Sequence, residues 1–168
     1  TWTTRIWTPD PRDNGVWFLD LTHAQVMDGD GQLELLEHIY GGLAVRGHRS
    51  WYGPENARFM TAEGVTDRTA ANGTRSRWCA ISGQVDGHVA GFAVLDHPAN
   101  PRSPQSVRVH PEMPYFSYGP APLGSMTITP EQPYRATYRI VVFDGAPDPE
   151  ILDRLWDDFA DPPKIGLE

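Results

Sequence analysis

The chain has one cysteine, one lysine and no long apolar run, and each scarcity excludes a class of protein. The single cysteine, Cys79, excludes an intrachain disulfide and a CxxC metal site. Lys164 is the only lysine, and the net charge of −8 disfavours nucleic-acid binding, which depends on clustered basic side chains. Apolar runs of about five residues fall far short of the roughly 20 that a membrane helix needs. We therefore expect a soluble protein whose partners are neither nucleic acid nor membrane, and we assign it to the cytoplasm, with secretion as the alternative.

Short alternating segments separated by glycine and proline turns indicate the fold class. They predict about nine or ten strands of a mainly antiparallel, all-β sandwich. One C-terminal α-helix is expected, with Asp148 as N-cap, Pro149 in the first position and an apolar stripe behind them. The stripe consists of Ile151, Leu152, Leu155, Trp156 and Phe159. We assign residues 1–163 to a single domain and exclude 164–168 as a tail of the kind left by cloning.

The first two strands have consequences for assembly. Segments 1–8 and 16–22 form a predicted hairpin, joined by the turn residues 9–15. The chain begins inside a strand that carries Trp2 and Trp7, and such an edge invites pairing with another chain. We expect an upstream segment, a second chain or a second copy of this chain to complete the sheet.

The region from Ala90 to Pro122 is the first place to look for a site. Residues 91–95 predict a buried strand, which is followed by Asp96, His97 and a long loop rich in proline. A histidine held by such a loop suits a general acid or base, so His97 is the candidate catalytic residue. Adjacent strand residues point to opposite faces, so Asp96 is not expected to orient the imidazole. The alternative is that His97 bonds a loop carbonyl and stiffens the turn.

Several further side chains are candidates for substrate binding. Arginine forks can hold a carboxylate or sugar hydroxyls, and flat aromatic rings can stack on a sugar. Segment 41–51 predicts a strand with Arg46 and His48 on one face. The candidates are Arg46, His48, Arg77, Asn100, Arg102, Tyr115 and Tyr118. The alternatives are ion pairs of Arg46, Arg77 and Arg102 with Asp20, Glu63 or Asp86, and core packing of Trp51, Trp78, Tyr115 and Tyr118.

The metal and thiol chemistry of the chain is expected to be limited. Its six histidines match no compact metal-ligand motif, so we assign no metal and no cofactor, although a site assembled from separate strands stays open. Cys79 lies between Trp78 and Ala80 and is expected to be a buried, inert thiol.

Five short motifs together resemble a known bacterial family. They are GGLAVR at 41–46, AEG at 62–64, RWCAISG at 77–83, DHPANPRSP at 96–104 and YRIVVFDG at 138–145. In combination they resemble the family usually labelled "methane oxygenase PmoA-like". The resemblance implies longer relatives, of which this chain is similar to the C-terminal part. It also implies an association with sugar catabolism and a sandwich similar to that of sugar mutarotases.

These observations lead to three functional hypotheses from different classes. The first is a β-sandwich enzyme, or a subunit of one, that acts on a carbohydrate or polyol. In it His97 is the acid or base, and Arg46 and Arg102 position the substrate. The second is a non-catalytic module that binds a carbohydrate or a partner through the aromatic segment 111–122. The third is a metal-dependent oxygenase.

Overall fold

A computed structural model describes residues 1–8 and 16–163. These residues form eleven strands and two α-helices, with 3₁₀ turns at Arg49–Trp51 and Ala121–Leu123. The strands are β1 (Trp2–Ile6), β2 (Trp17–Gln25), β3 (Leu33–Leu35), β4 (Leu43–Arg46), β5 (Ala57–Thr61), β6 (Trp78–Val85), β7 (His88–Asp96), β8 (Ser106–Val109), β9 (Tyr115–Gly119), β10 (Met126–Ile128) and β11 (Tyr134–Asp144). The helices are α1 (Arg68–Ala71) and α2 (Pro149–Ala160). The predicted all-β class with one main C-terminal helix is confirmed.

A six-stranded antiparallel sheet, in the order β1-β2-β11-β7-β6-β5, separates two apolar cores. One face packs against the small sheets β4-β9-β8 and β10-β3, where the rings of Phe116 and Tyr118 lie against those of Phe59 and Tyr138. The other face packs against α2. Because side chains alternate along a strand, consecutive residues of the central strands enter different cores.

Helix α2 covers the second core as the sequence predicts. The Asp148 carboxylate accepts bonds from two backbone amides of the first turn, at 2.9 and 3.4 Å. Pro149 occupies the first helical position, where its missing N–H costs nothing. Leu152, Leu155 and Phe159 are buried against the sheet. Capping and periodicity therefore fix both the start and the buried face of this helix.

Strand β1 lies at the edge of the large sheet and pairs with β2, as expected of the first two strands. The joining residues 9–15 and the tail 164–168 lie outside the described residues. The backbone groups of Thr1 and Trp7 form hydrogen bonds with β2. Because only every second residue of an antiparallel strand bonds to a given neighbour, the backbone N–H and C=O groups of Trp2 and Ile6 point away from β2. Their side chains are 68% and 73% exposed. Pairing of this edge with a further strand stays a prediction.

Two local predictions are wrong. The long loop expected after Pro98 contains β8 and β9, because its prolines fall in the connections and leave two alternating segments free to pair. The expected strand 41–51 ends at Arg46, and His48 instead caps the 3₁₀ turn by accepting a bond from the Ser50 amide. Arg46 and His48 therefore do not share a strand face.

A short helix lies between β5 and β6. This helix is α1, and its N-cap Asp67 accepts a bond of 2.8 Å from the Ala70 amide. In the part of the chain that the structure describes, no helix is long and apolar enough to cross a membrane.

Candidate functional site

The end of β7 sends two adjacent side chains to opposite faces of the large sheet. Asp96 enters the core between the sheets and has no exposed surface. His97 lies on the face covered by α2, where its ring meets that of Phe159 edge-on at 4.8 Å. This separation agrees with the alternation expected from the sequence, so Asp96 does not orient the His97 ring.

The Asp96 carboxylate organises the segment that follows β7. It accepts bonds from Asn100 Nδ2 at 2.7 Å, Ser103 Oγ at 2.7 Å and the Gln105 amide at 2.9 Å. Burial raises the pKa of Asp96, and these three donors act against that rise. All three are supplied by the turn itself. Asp96 therefore holds the turn in place rather than facing a ligand.

Asn100, a candidate for substrate binding, also forms its hydrogen bonds with groups inside the protein. Its Nδ2 donates to Asp96 and to the Thr137 carbonyl, the latter at 2.8 Å. Its Oδ1 accepts from the Thr137 amide at 2.7 Å. The side chain is 6% exposed. It fastens the turn to β11.

The His97 imidazole is fixed by its own turn. Nδ1 accepts a bond of 3.1 Å from the Ala99 amide, so the neutral ring carries its proton on Nε2. The bond is to a loop amide and not to the loop carbonyl of the alternative interpretation. Burial lowers the pKa of His97, and neighbouring Asp96 opposes that change. The neutral ring is thus favoured near neutral pH.

His97 lines a cleft of about 440 Å³ between the end of α2 and strands β1, β2 and β11. The cleft has aromatic walls and charged groups. Its lining includes Arg5, Trp7, Asp20, Arg139, Asp158 and Phe159. Such a combination of apolar surface with a few polar groups is typical of small-molecule sites.

An ion pair forms the base of this cleft. Asp20 accepts two bonds from Arg139, at 2.7 and 3.0 Å, and one from Trp7 Nε1 at 2.8 Å. The Arg139 guanidinium also lies 4.5 Å from the centre of the Phe18 ring and 4.6 Å from that of Phe159. The pair and its aromatic neighbours therefore hold one another in a defined arrangement.

Sequence reasoning missed Arg139, Trp7 and Asp20 as members of a site. Asp20 lies opposite Arg5 on β1 and Arg139 on β11, so strand pairing creates the cluster. The available indication was a charged residue in the middle of each of two apolar strands, VWFLDLT and YRIVVF. Charges in such positions need a partner, and the partner comes from a strand distant in the chain.

The structure does not bring Arg46 to His97. Arg46 belongs to β4, in the three-stranded sheet that covers the opposite face of the large sheet. Its Nη1 donates to the Tyr52 hydroxyl at 2.7 Å, and its guanidinium lies 5.8 Å from the centre of the Tyr115 ring. His48 and Tyr115 lie on this side as well. A site that joins His97 to Arg46 is therefore not formed.

Arg102 and Arg77 have structural partners. The Arg102 guanidinium donates to the carbonyls of Pro120 at 2.9 Å, Ser125 at 2.7 Å and Gly124. Arg77 pairs with Asp153 of α2 at 3.0 Å. In the described residues neither forms a salt bridge with Asp20, Glu63 or Asp86, and Asp20 pairs with Arg139 instead.

The aromatic candidates divide between core and surface. Trp51, Trp78 and Tyr118 have 3%, 0% and 0% of their surface exposed, so core packing is confirmed for all three. A ligand cannot stack on Tyr118 in this structure, because its ring is enclosed between the sheets. Tyr115 is only half-buried. The predicted recognition platform over 111–122 is therefore mostly interior.

Cys79 is fully buried, as predicted, and burial raises the pKa of its thiol. Among residues 1–8 and 16–163, no three His, Cys, Asp or Glu side chains group closely enough to hold a metal ion.

The fold and the cleft define an all-β sandwich protein with one candidate small-molecule site beside its C-terminal helix. Comparison with known families goes one step further. Residues 1–157 match the Family of unknown function (DUF6807), and the chain belongs to that family. No curated protein and no solved structure matches the chain.

Proposed function

We propose that this protein is a β-sandwich enzyme, or a subunit of one, that acts on a carbohydrate or polyol in the His97 cleft. The observation that carries the proposal is a half-buried imidazole, fixed through Nδ1, in a cleft with both aromatic and charged walls. Sugars present apolar ring faces and many hydroxyl groups, so their sites need both kinds of surface.

Trp7 and the ion pair of Asp20 with Arg139 are suited to binding the substrate. The Trp7 ring is 37% exposed and held by its bond to Asp20, so it offers a fixed surface on which a sugar ring can stack. Asp158 and Arg5 on the cleft wall are exposed and can exchange bonds with hydroxyl groups. Arg139 and Asp20 shape the floor on which the ligand would rest.

His97 is suited to a role in the chemical step. In its neutral form it carries an N–H on Nε2, which can donate a hydrogen bond to a sugar oxygen as negative charge develops there. Action as a base first requires the proton to move to Nδ1, with loss of the Ala99 bond. The geometry therefore favours His97 as a hydrogen-bond donor to the reacting oxygen. The resemblance of its motifs to the PmoA-like family implies an association with sugar catabolism, which fits the same substrate class.

The test is a panel of neutral sugars, polyols and oxidised sugars, screened by thermal shift and then by NMR for turnover. We expect at least one hit to be converted, and H97Q to abolish conversion while the protein stays folded. His88 lies exposed at the other end of β7, so H88Q is the matched control and keeps full activity. Unchanged turnover by folded H97Q would show that His97 has no part in the reaction.

A second candidate is a non-catalytic carbohydrate-binding module that uses the same cleft. One observation favours it: Asp20, the carboxylate at the cleft floor, already accepts bonds from Arg139 and Trp7 and is not aimed at His97. A module of this kind would be stabilised by a sugar without forming product, and W7A would remove the stabilisation.

A further inference from the structure

We propose a second binding site, for a small anion-bearing molecule, on the side of the protein opposite the His97 cleft. It is a hollow of about 490 Å³ lined by Arg46, Gly47, Arg49 and Tyr52. The proposal is independent of the function assigned to His97, because the two sites share no residue.

Arg46 is held ready for a ligand by three neighbours. Its Nη1 donates to the Tyr52 hydroxyl at 2.7 Å and lies 3.8 Å from Met113 sulfur, and the guanidinium packs near the Tyr115 ring. None of these neighbours is charged, so they fix the position of the cation without neutralising it. Its remaining N–H groups can face the hollow.

Arg49 is placed by a rigid 3₁₀ turn. His48 Nδ1 accepts from the Ser50 amide, and Ser50 Oγ donates to the Gln84 carbonyl at 2.6 Å. Trp51 is 3% exposed and donates its indole N–H to the same carbonyl at 3.0 Å. The second and third residues of the turn are thereby tied to β6, which limits the movement of the backbone next to Arg49.

The positive charge of the hollow favours a negatively charged ligand. No carboxylate lines it, and within the described part of the chain neither Arg46 nor Arg49 forms a salt bridge. The nearby acid Glu55 accepts a bond from Asn56. In a chain with net charge −8, the two arginines make this hollow a local concentration of positive charge. By contrast, Arg139 and Arg77 each have an aspartate partner.

The chemistry of the lining identifies the ligand class. Guanidinium groups bind carboxylate and phosphate through paired N–H donors. The Tyr52 hydroxyl accepts its bond from Arg46, so its own proton is available to an anionic oxygen. The Tyr52 ring is 46% exposed and adds a flat surface beside the two cations. A small molecule with one carboxylate or phosphate group on a polar ring fits this site.

Calorimetric titration with glucuronate, glucose 6-phosphate, inorganic phosphate and neutral methyl glucoside tests the proposal. We expect glucuronate or glucose 6-phosphate to bind and methyl glucoside to leave this hollow empty. R46Q and R49Q should each weaken anion binding by about tenfold or more, the loss expected for a charge-assisted hydrogen bond. R135Q removes an exposed arginine from β11 and should leave the affinity unchanged.

The arms of the experiment separate the possible results. Tighter binding of glucuronate identifies a carboxylate ligand, and tighter binding of glucose 6-phosphate or phosphate identifies a phosphate ligand. Binding should persist in H97Q, so loss of the His97 function would leave this result intact. The proposal is overturned if no anion binds, if R46Q and R49Q bind as well as the unmodified protein, or if H97Q rather than these variants abolishes binding.

Discussion

Asp96 and His97 are neighbours in the chain but lie in two regions of opposite character. On the Asp96 side, every carboxylate bond is made by the following turn, and no solvent reaches the group. On the His97 side, one ring nitrogen is held by the backbone and the ring lines a cleft. A buried polar group whose bonds are all internal stabilises the fold, whereas one beside an open cleft can act on a ligand.

The difference matters for interpretation, because both residues belong to the same DHPANPR motif. Asp96 and Asn100 give that motif its shape, and His97 alone of the three lines the cleft. The motif therefore combines a structural half and a candidate functional half, and the predictions below separate them.

The largest effect is expected on the structural side. Asp96→Ala would leave the donors of Asn100, Ser103 and Gln105 without their acceptor, at a cost of about 3 to 5 kcal/mol in the free energy of unfolding. Urea denaturation measures it, with the same truncation at the neighbouring residue, His97→Ala, as the control. If the Asp96 variant is no less stable than the His97 variant, the contrast between the two faces fails.

The second-largest loss of stability is expected when the ion pair beneath the cleft is broken. Arg139→Gln leaves Asp20 with one partner and removes a guanidinium packed between aromatic rings, so we expect a loss of about 3 kcal/mol. The two side chains are 7% and 15% exposed, which keeps solvent from replacing the bond. Denaturation at low and high salt should give nearly the same loss. A loss that disappears in salt would show that the pair is solvated.

The exposed pair between Arg77 and Asp153 gives a matched comparison. Its side chains are 36% and 41% exposed, so Arg77→Gln should cost only about 0 to 1 kcal/mol. The same urea titration serves for both arginines. A cost equal to that of Arg139→Gln would mean that burial does not separate the two pairs.

The smallest effect concerns pH. Burial lowers the pKa of His97 in the folded state below its ordinary 6.5, so on acidification the unfolded chain takes up the proton first. Its contribution to stability is present above 6.5 and is lost as the pH falls through the lowered folded value. Burial also lowers the pKa of His23, so the difference between the unmodified protein and H97Q isolates His97.

Unfolding titrations at about pH 8 and about pH 5.5 measure that difference. The unmodified protein should lose more stability than H97Q between the two. An equal loss in both proteins would contradict the burial of the imidazole.

Much of the fold could be predicted because its determinants are local. Asp148, Pro149 and the apolar stripe define α2, and period-two alternation defines β2 and β11. The failures are also instructive. The prolines after Pro98 suggested a continuous loop, although segments of only four and five residues between them suffice for β8 and β9 once β4 supplies a partner.

The sequence by itself determined that strands alternate, that α2 begins at Pro149, and that Asp96 and His97 face opposite ways, since all three follow from neighbouring residues. Only the tertiary structure decided which residues each face of the large sheet contacts. Asp20 and Arg139 are 119 residues apart and become partners through the pairing of β2 with β11. Trp7 joins them because β1 pairs with β2. Strand pairing depends on the packing of the whole sheet, so no local pattern identifies which distant charges will share a cleft.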